Sequence, residues 1–196
     1  MIKLDRPLIL ASGSPRRKEI LGNAGFSFDI IVSDCDENIS DDLSPEKTVE
    51  ELAERKALSV WESHKDSVVF GCDTVVAVDG RILGKPEDDE DAFDMLKSLS
   101  GKTHTVSTGV CICSQDRTEI FSNTTQVEFY ELSDETIRSY IASGEGKDKA
   151  GSYGIQGYGC VLVKEIKGDY FSVMGLPVSE SARVLASFGI EGKVKL

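Results

Sequence analysis

Apolar and polar positions change period along the chain, and the changes mark its elements. Leu8-Ile-Leu-Ala11 is a short, continuous apolar run bounded by turn residues, which predicts a buried strand over 8–11. Ser14 followed by Pro15 is a helix start, a cap and then the first helical position, so a helix is predicted over 15–23, stopped near Gly25. A strand over 28–32 and a polar loop through Asp42 follow. Ser44-Pro45-Glu46 opens a long helix to about His64, with Val49, Leu52, Ala53 and Val60 as its apolar stripe. Val68 to Val78 reads as an almost wholly apolar strand, Asp79-Gly80 as a hairpin turn and Arg81 to Leu83 as a short return strand. The acids Glu87 to Asp91 open a helix that ends at Ser100-Gly101. Strands then dominate, predicted at about 103–112, 118–130, 160–166 and 169–174. They are interrupted by a helix from Ser133 to Gly144 and a loop from Glu145 to Tyr158. A last helix follows Gly175-Leu176-Pro177 and runs to Phe188. This mixture predicts an α/β protein with a twisted mixed sheet, helices packed on it and active-site loops at one end.

With 196 residues the chain can bury a full core, as one substantial domain or two small lobes. Its formal charge of −12 argues against binding long nucleic acid through a basic face, and makes local Arg and Lys clusters informative. No stretch approaches the ~20 apolar residues that span a bilayer. Met1-Ile-Lys-Leu-Asp-Arg-Pro7 lacks the basic-then-apolar pattern of a signal peptide, so a cytoplasmic location is expected. Five cysteines, Cys35, Cys72, Cys111, Cys113 and Cys160, contain no C-x-x-C pair; most are expected to be small buried hydrophobes. With only His64 and His104, neither a Ser-His-Asp triad nor a multi-histidine metal site is expected, leaving carboxylates, lysines, arginines or a metal.

Several residues break their local pattern. The Ser12-Gly13-Ser14 turn lies where free backbone N–H groups meet at a helix N-terminus, a setting that favours an anion. Arg16 and Arg17 stand in that helix's first turn against the helix dipole, a cost that a bound phosphate would offset. Asp73 interrupts the 68–78 run, where a buried carboxylate costs several kcal/mol unless paired or metal-bound. Metal ligand, general base and a hydrogen bond to a neighbouring turn are its three readings. Thr74 points to the opposite face unless a bulge near Gly71 intervenes. Lys56 falls inside the apolar stripe of its helix, so it either snorkels outward or reaches an anion. Lys85, between Gly84 and Pro86, is displayed at a defined angle. In the acidic loop Ser33-Asp-Cys-Asp-Glu37, Asp36 or Glu37 could join Asp73 around a magnesium ion, which needs one or two carboxylates plus substrate phosphates. Asp148-Lys-Ala-Gly-Ser-Tyr-Gly-Ile-Gln-Gly157 is a glycine-rich loop in which Gln156 could read a base edge. Lys149 is either a phosphate contact or the partner of Asp148. The acids 87–91 read as solvated surface that complements a helix dipole.

Together, Ser12-x-Ser14-Pro15-Arg16-Arg17, Gly71-x-Asp73-Thr74-Val75-Val76, Gly84-Lys85-Pro86, the 148–157 loop and Gly175-Leu176-Pro177 resemble the Maf family of nucleoside triphosphate pyrophosphatases. Five motifs in order over nearly the whole chain make this specific. The resemblance implies one elongated domain over 1–196, related to the inosine triphosphate pyrophosphatases, with a central mixed sheet and two lobes around a deep cleft. It implies Mg²⁺- or Mn²⁺-dependent cleavage of a nucleoside triphosphate to monophosphate and pyrophosphate, a link to septum formation and a homodimer. It also implies Asp73 as general base, Glu37 as its metal-site partner, and Arg17, Lys56 and Lys85 on the phosphates. Arg16, Thr74 and Gln156 match the subgroup acting on dTTP and UTP rather than on 7-methyl-GTP. A nucleotide sensor would use the same cations but would not need Asp73 or Glu37; a division-regulating interaction protein is a further alternative. A P-loop and a Rossmann dinucleotide site are excluded by the absence of their glycine signatures.

Overall fold

The computed structural model describes residues 6–40 and 42–196. The first five residues, within the stretch searched for a signal peptide, lie outside the described residues, as does Asp41 of the predicted polar loop. The elements are β1 (Leu8–Leu10), α1 (Pro15–Asn23), β2 (Asp29–Ile30), α2 (Pro45–Trp61), β3 (Val68–Val78), β4 (Arg81–Leu83) and α3 (Asp89–Leu99). They continue with β5 (Thr103–Cys113), β6 (Thr118–Phe129), α4 (Asp134–Ala142), β7 (Val163–Lys167), α5 (Tyr170–Val173) and α6 (Val178–Ser187). One mixed seven-stranded sheet results, ordered β2-β1-β3-β5-β6-β7 with β4 also on β3. β1 is parallel to both β2 and β3, whereas β4 and β7 run antiparallel to β3 and β6. The α/β expectation holds. No helix among the described residues is long and apolar enough to cross a membrane.

The chain contacts divide it into two compact units, with β3, β5 and β6 contributing to both. The first comprises Met1–Asp73, Thr108–Asn123 and Gly175–Leu196. Its core joins Ile9 and Ala11 to Ala53, Ala57, Val60, Val69, Cys111 and Cys113. Two glycines let α2 lie directly on the sheet. A Cβ on Gly71 would stand 2.3 Å from the Ala53 carbonyl oxygen, and one on Gly109 2.2 Å from that of Val49. Gly71 therefore marks a close approach of helix to strand.

The second unit comprises Thr74–Ser107 and Thr124–Met174. Val76, Leu96, Leu99, Val127, Phe129, Ile137 and Leu162 are central to its core. His104, Phe129 and Tyr153 meet edge to face in that core, with ring centroids 4.7–5.4 Å apart.

Two predicted strands are corrected here. The segment predicted as a strand from 160 begins as a 3-10 turn, Gly157–Val161, and pairs only from Val163. Residues 170–173 form α5 instead of a strand, because the Asp169 side chain caps the Phe171 amide at 2.8 Å. Thr125 holds Asp169 in place, donating to its carbonyl and accepting from its amide. Local capping outweighs the aromatic and β-branched composition that suggested a strand.

Candidate active site

The first unit assembles most of the predicted residues around the end of β1. Ala11 donates to the Phe70 carbonyl at 2.8 Å, so the chain leaves β1 beside β3, close to Gly71-Cys72-Asp73. Ser14 caps α1 and accepts from the Arg17 amide. The buried Ser12 hydroxyl accepts from the Ser14 amide at 3.2 Å and from Arg17 Nη1 at 3.3 Å, so it shapes the turn and aims the guanidinium. Arg17 Nε donates to the Gly175 carbonyl at 2.8 Å, and Cys72 Sγ donates to the same oxygen at 3.1 Å. One carbonyl of the Gly-Leu-Pro motif thereby ties Arg17 to the residue before Asp73. Burial pushes the Cys72 thiol up to about 11, so it is a neutral donor. Arg16 is half-buried in the same helical turn.

Lys56 does not snorkel. Its ammonium lies 2.5 Å from Asp73 Oδ1 and 3.0 Å from Glu37 Oε1. Burial opposes the charge on Lys56, but Asp73 first and Glu37 second outweigh it and hold its pKa above the usual lysine value. The predicted general base, its predicted acidic partner and a predicted phosphate lysine are thus one cluster. Asp73 is buried and Glu37 is exposed, so the pair offers hard oxygen donors from the core and from solvent. Among the described residues no group of three or more metal-ligating side chains forms. Besides the oxygens that face Lys56, Asp73 and Glu37 each carry a second carboxylate oxygen, the hard donor type that suits Mg²⁺ or Mn²⁺. Asp36 is committed elsewhere: its carboxylate accepts from the amide and side chain of Asn38.

The second unit holds Thr74, Lys85, Lys149 and Gln156. The Gly84 carbonyl accepts from the Gly151 amide at 3.0 Å, joining the Gly-Lys-Pro corner to the glycine-rich loop. Lys85 is exposed, and Thr74 and Gln156 are half-buried. Lys149 Nζ donates to Asp148 at 2.6 Å and also to the Glu145 carbonyl, as one of its two readings anticipated. A pocket of about 180 Å³ in this unit is walled by Glu87, Asp88, Asp89 and Lys147 and contains none of the predicted site residues. Its carboxylates disfavour a polyphosphate.

Sequence reasoning missed the residues that hold the 148–157 loop. Tyr153 donates to or accepts from His104 Nε2 at 2.8 Å, and burial lowers His104 to about 4, keeping the ring neutral. Glu145 collects a tyrosine hydroxyl and two backbone amides. An acid opening a glycine-rich loop was the available signal, but its partners lie up to 14 residues away.

A family model described as Maf-like protein matches residues 7–188. Curated relatives include a "dTTP/UTP pyrophosphatase" of Bacillus pumilus (strain SAFR-032), 54% identical over 93% of this chain and 97% of the relative. Proteins of the same name from Bacillus thuringiensis subsp. konkukian (strain 97-27) and Bacillus anthracis are each 52% identical, over 95% of this chain and 97% of their own length.

Proposed function

Because the chain belongs to the Maf family, we propose that it hydrolyses nucleoside triphosphates, dTTP and UTP above others, to the monophosphate and pyrophosphate. The buried Asp73–Lys56 pair in the middle of a core strand carries this reading. A carboxylate set in an apolar strand at such cost has a purpose in chemistry that simple binding would not require.

Arg17, oriented by Ser12 and Gly175, and Lys56 would take phosphate oxygens, with the Ser12–Ser14 turn at the α1 N-terminus adding backbone donors. The family resemblance would give Lys85 a phosphate contact too, and Lys149 is a further candidate. Lys56 engages Asp73 through Oδ1, which makes Oδ2 the oxygen to accept a proton from water attacking the α-phosphorus. Glu37 and Asp73 would hold Mg²⁺ or Mn²⁺, which when bound neutralises phosphate charge and makes a water more acidic. Arg16, Thr74 and Gln156 would choose the base, with Gln156 on the uracil or thymine edge. With such substrates the protein would act on nucleotides of the cytoplasm.

The test is product analysis with UTP, dTTP, CTP and GTP in the presence of Mg²⁺ or Mn²⁺. Monophosphate and pyrophosphate should appear from UTP and dTTP, and a chelator should abolish both. Diphosphate with inorganic phosphate, or undiminished turnover in chelator, would overturn the reading.

A further inference from the structure

Within the second unit, residues 154–159 close on themselves around a single acid. Glu145 Oε2 accepts from the Tyr158 amide at 2.7 Å, and Oε1 accepts from the Gly159 amide at 3.0 Å and the Tyr140 hydroxyl at 3.1 Å. That hydroxyl in turn accepts from the Gly154 amide at 3.0 Å. One carboxylate therefore holds both ends of the segment, directly at 158 and 159 and through Tyr140 at 154. The fit beneath the turn is tight. Gly157 has φ +61, and a Cβ there would stand 2.2 Å from Glu145 Oε2. A Cβ on Gly159 would stand 2.0 Å from the Gly154 carbonyl oxygen, so the two ends touch. Tyr140 lies in the unit's core, which anchors the assembly. Gln156 sits in the middle of the clamped segment.

We propose that Glu145, acting with Tyr140, is a positioning residue that sets base selectivity by fixing the 154–159 turn from which Gln156 meets the pyrimidine. The proposal rests on the pyrimidine triphosphatase reading above. Bonds from neutral donors to an ionised carboxylate are among the stronger ones, and here they rigidify the backbone on both sides of one amide side chain. The amide must distinguish the 4-oxo edge of uracil from the 4-amino edge of cytosine, and a shift of about 1 Å would remove that choice. Glu145→Gln keeps the volume but sets an NH₂ against a backbone N–H donor, so at least the bond to Tyr158 is lost and the turn loosens next to Gly157.

The experiment measures kcat and KM for UTP and CTP in the wild type, Glu145→Gln, Tyr140→Phe, Gln156→Ala and the Glu145→Gln/Gln156→Ala double variant, with melting curves on each. Glu145→Gln should reduce the UTP-over-CTP preference about tenfold, mainly through KM, and Tyr140→Phe should reduce it less. The double variant should be no less selective than Gln156→Ala alone. If Glu145→Gln does not fold, Tyr140→Phe carries the comparison, because it releases Gly154 and keeps the core ring. Loss of selectivity in Gln156→Ala without any loss in the Glu145 or Tyr140 variants overturns the proposal. Selectivity lost in Glu145→Gln but kept in Gln156→Ala overturns it as well, because Gln156 is then not the base reader through which Glu145 acts. A wild type that releases no pyrophosphate from UTP removes the functional reading and this proposal together.

Discussion

Replacing Asp73 by Asn separates what the Lys56–Asp73 pair does for stability from what it does for chemistry. The ammonium and carboxylate are 2.5 Å apart, with side chains only 11% and 13% exposed. Two unit charges at 4 Å attract by about 4 kcal/mol at an effective dielectric of 20, and truncating one partner of a buried pair costs about 3–5 kcal/mol. Glu37 stays 3.0 Å from Lys56 in the variant, but its side chain is 62% exposed. An exposed partner recovers about 1 kcal/mol at most. Asp73→Asn should therefore lose about 2–4 kcal/mol, and at about 2–4 °C per kcal/mol its melting temperature should fall by roughly 5–15 °C. Adding Lys56→Met removes the stranded charge and should restore most of the stability. Pyrophosphate release should stay depressed by orders of magnitude in both variants. The pair also has a pH signature. Lys56 has its pKa raised above its unfolded value of 10.5, so its contribution is whole below that pH and is lost as pH climbs through the higher folded value. An Asp73→Asn protein that melts with the wild type would refute the energetic argument, and a double variant with wild-type turnover would refute the catalytic one.

Gly71→Ala would press a methyl group 2.3 Å from the Ala53 carbonyl, so α2 must shift. Calorimetry should show a loss of more than about 1–3 kcal/mol, and an unchanged melting curve would mean that the helix does not lie against β3 as described. His104 should make the protein acid-sensitive. With its folded pKa lowered to about 4 from 6.5, the native state resists protonation, so stability falls as pH drops from 6.5 towards 4, by up to about 3 kcal/mol. Urea titrations across that range should flatten in His104→Phe; the same slope in that variant would assign the effect to other groups. Arg17→Lys keeps the charge but cannot bond Ser12 and Gly175 together. It should raise KM for UTP about tenfold, while an unchanged KM would show that guanidinium geometry is not what binds phosphate.

Local grammar was readable where a residue's neighbours in the chain decide its state. Ser14 and Ser44 cap helices that begin at Pro15 and Pro45. The Asp79-Gly80 turn also sits where read, joining β3 to β4. The stripe of α2 was legible too, and with it the burial of Lys56. What that lysine touches was not, because Asp73 is 17 residues away and the pairing exists only once α2 lies on β3. The same limit hid α5. Its residues have strand composition, yet Thr125, 44 positions earlier, holds the Asp169 cap that makes them helical.

The chain alone determined the α/β order, the apolar runs, the caps and the short roster of charged residues too costly to be incidental, since each follows from spacing and residue chemistry over a few positions. Tertiary structure decided the rest: that Lys56 joins Asp73 to Glu37, that Gly175 ties Arg17 to Cys72, and that Glu145 grips the turn around Gln156. Such contacts depend on distances between elements remote in the chain. Those distances are set by packing, and at Gly71 and Gly109 by the absence of a single carbon atom.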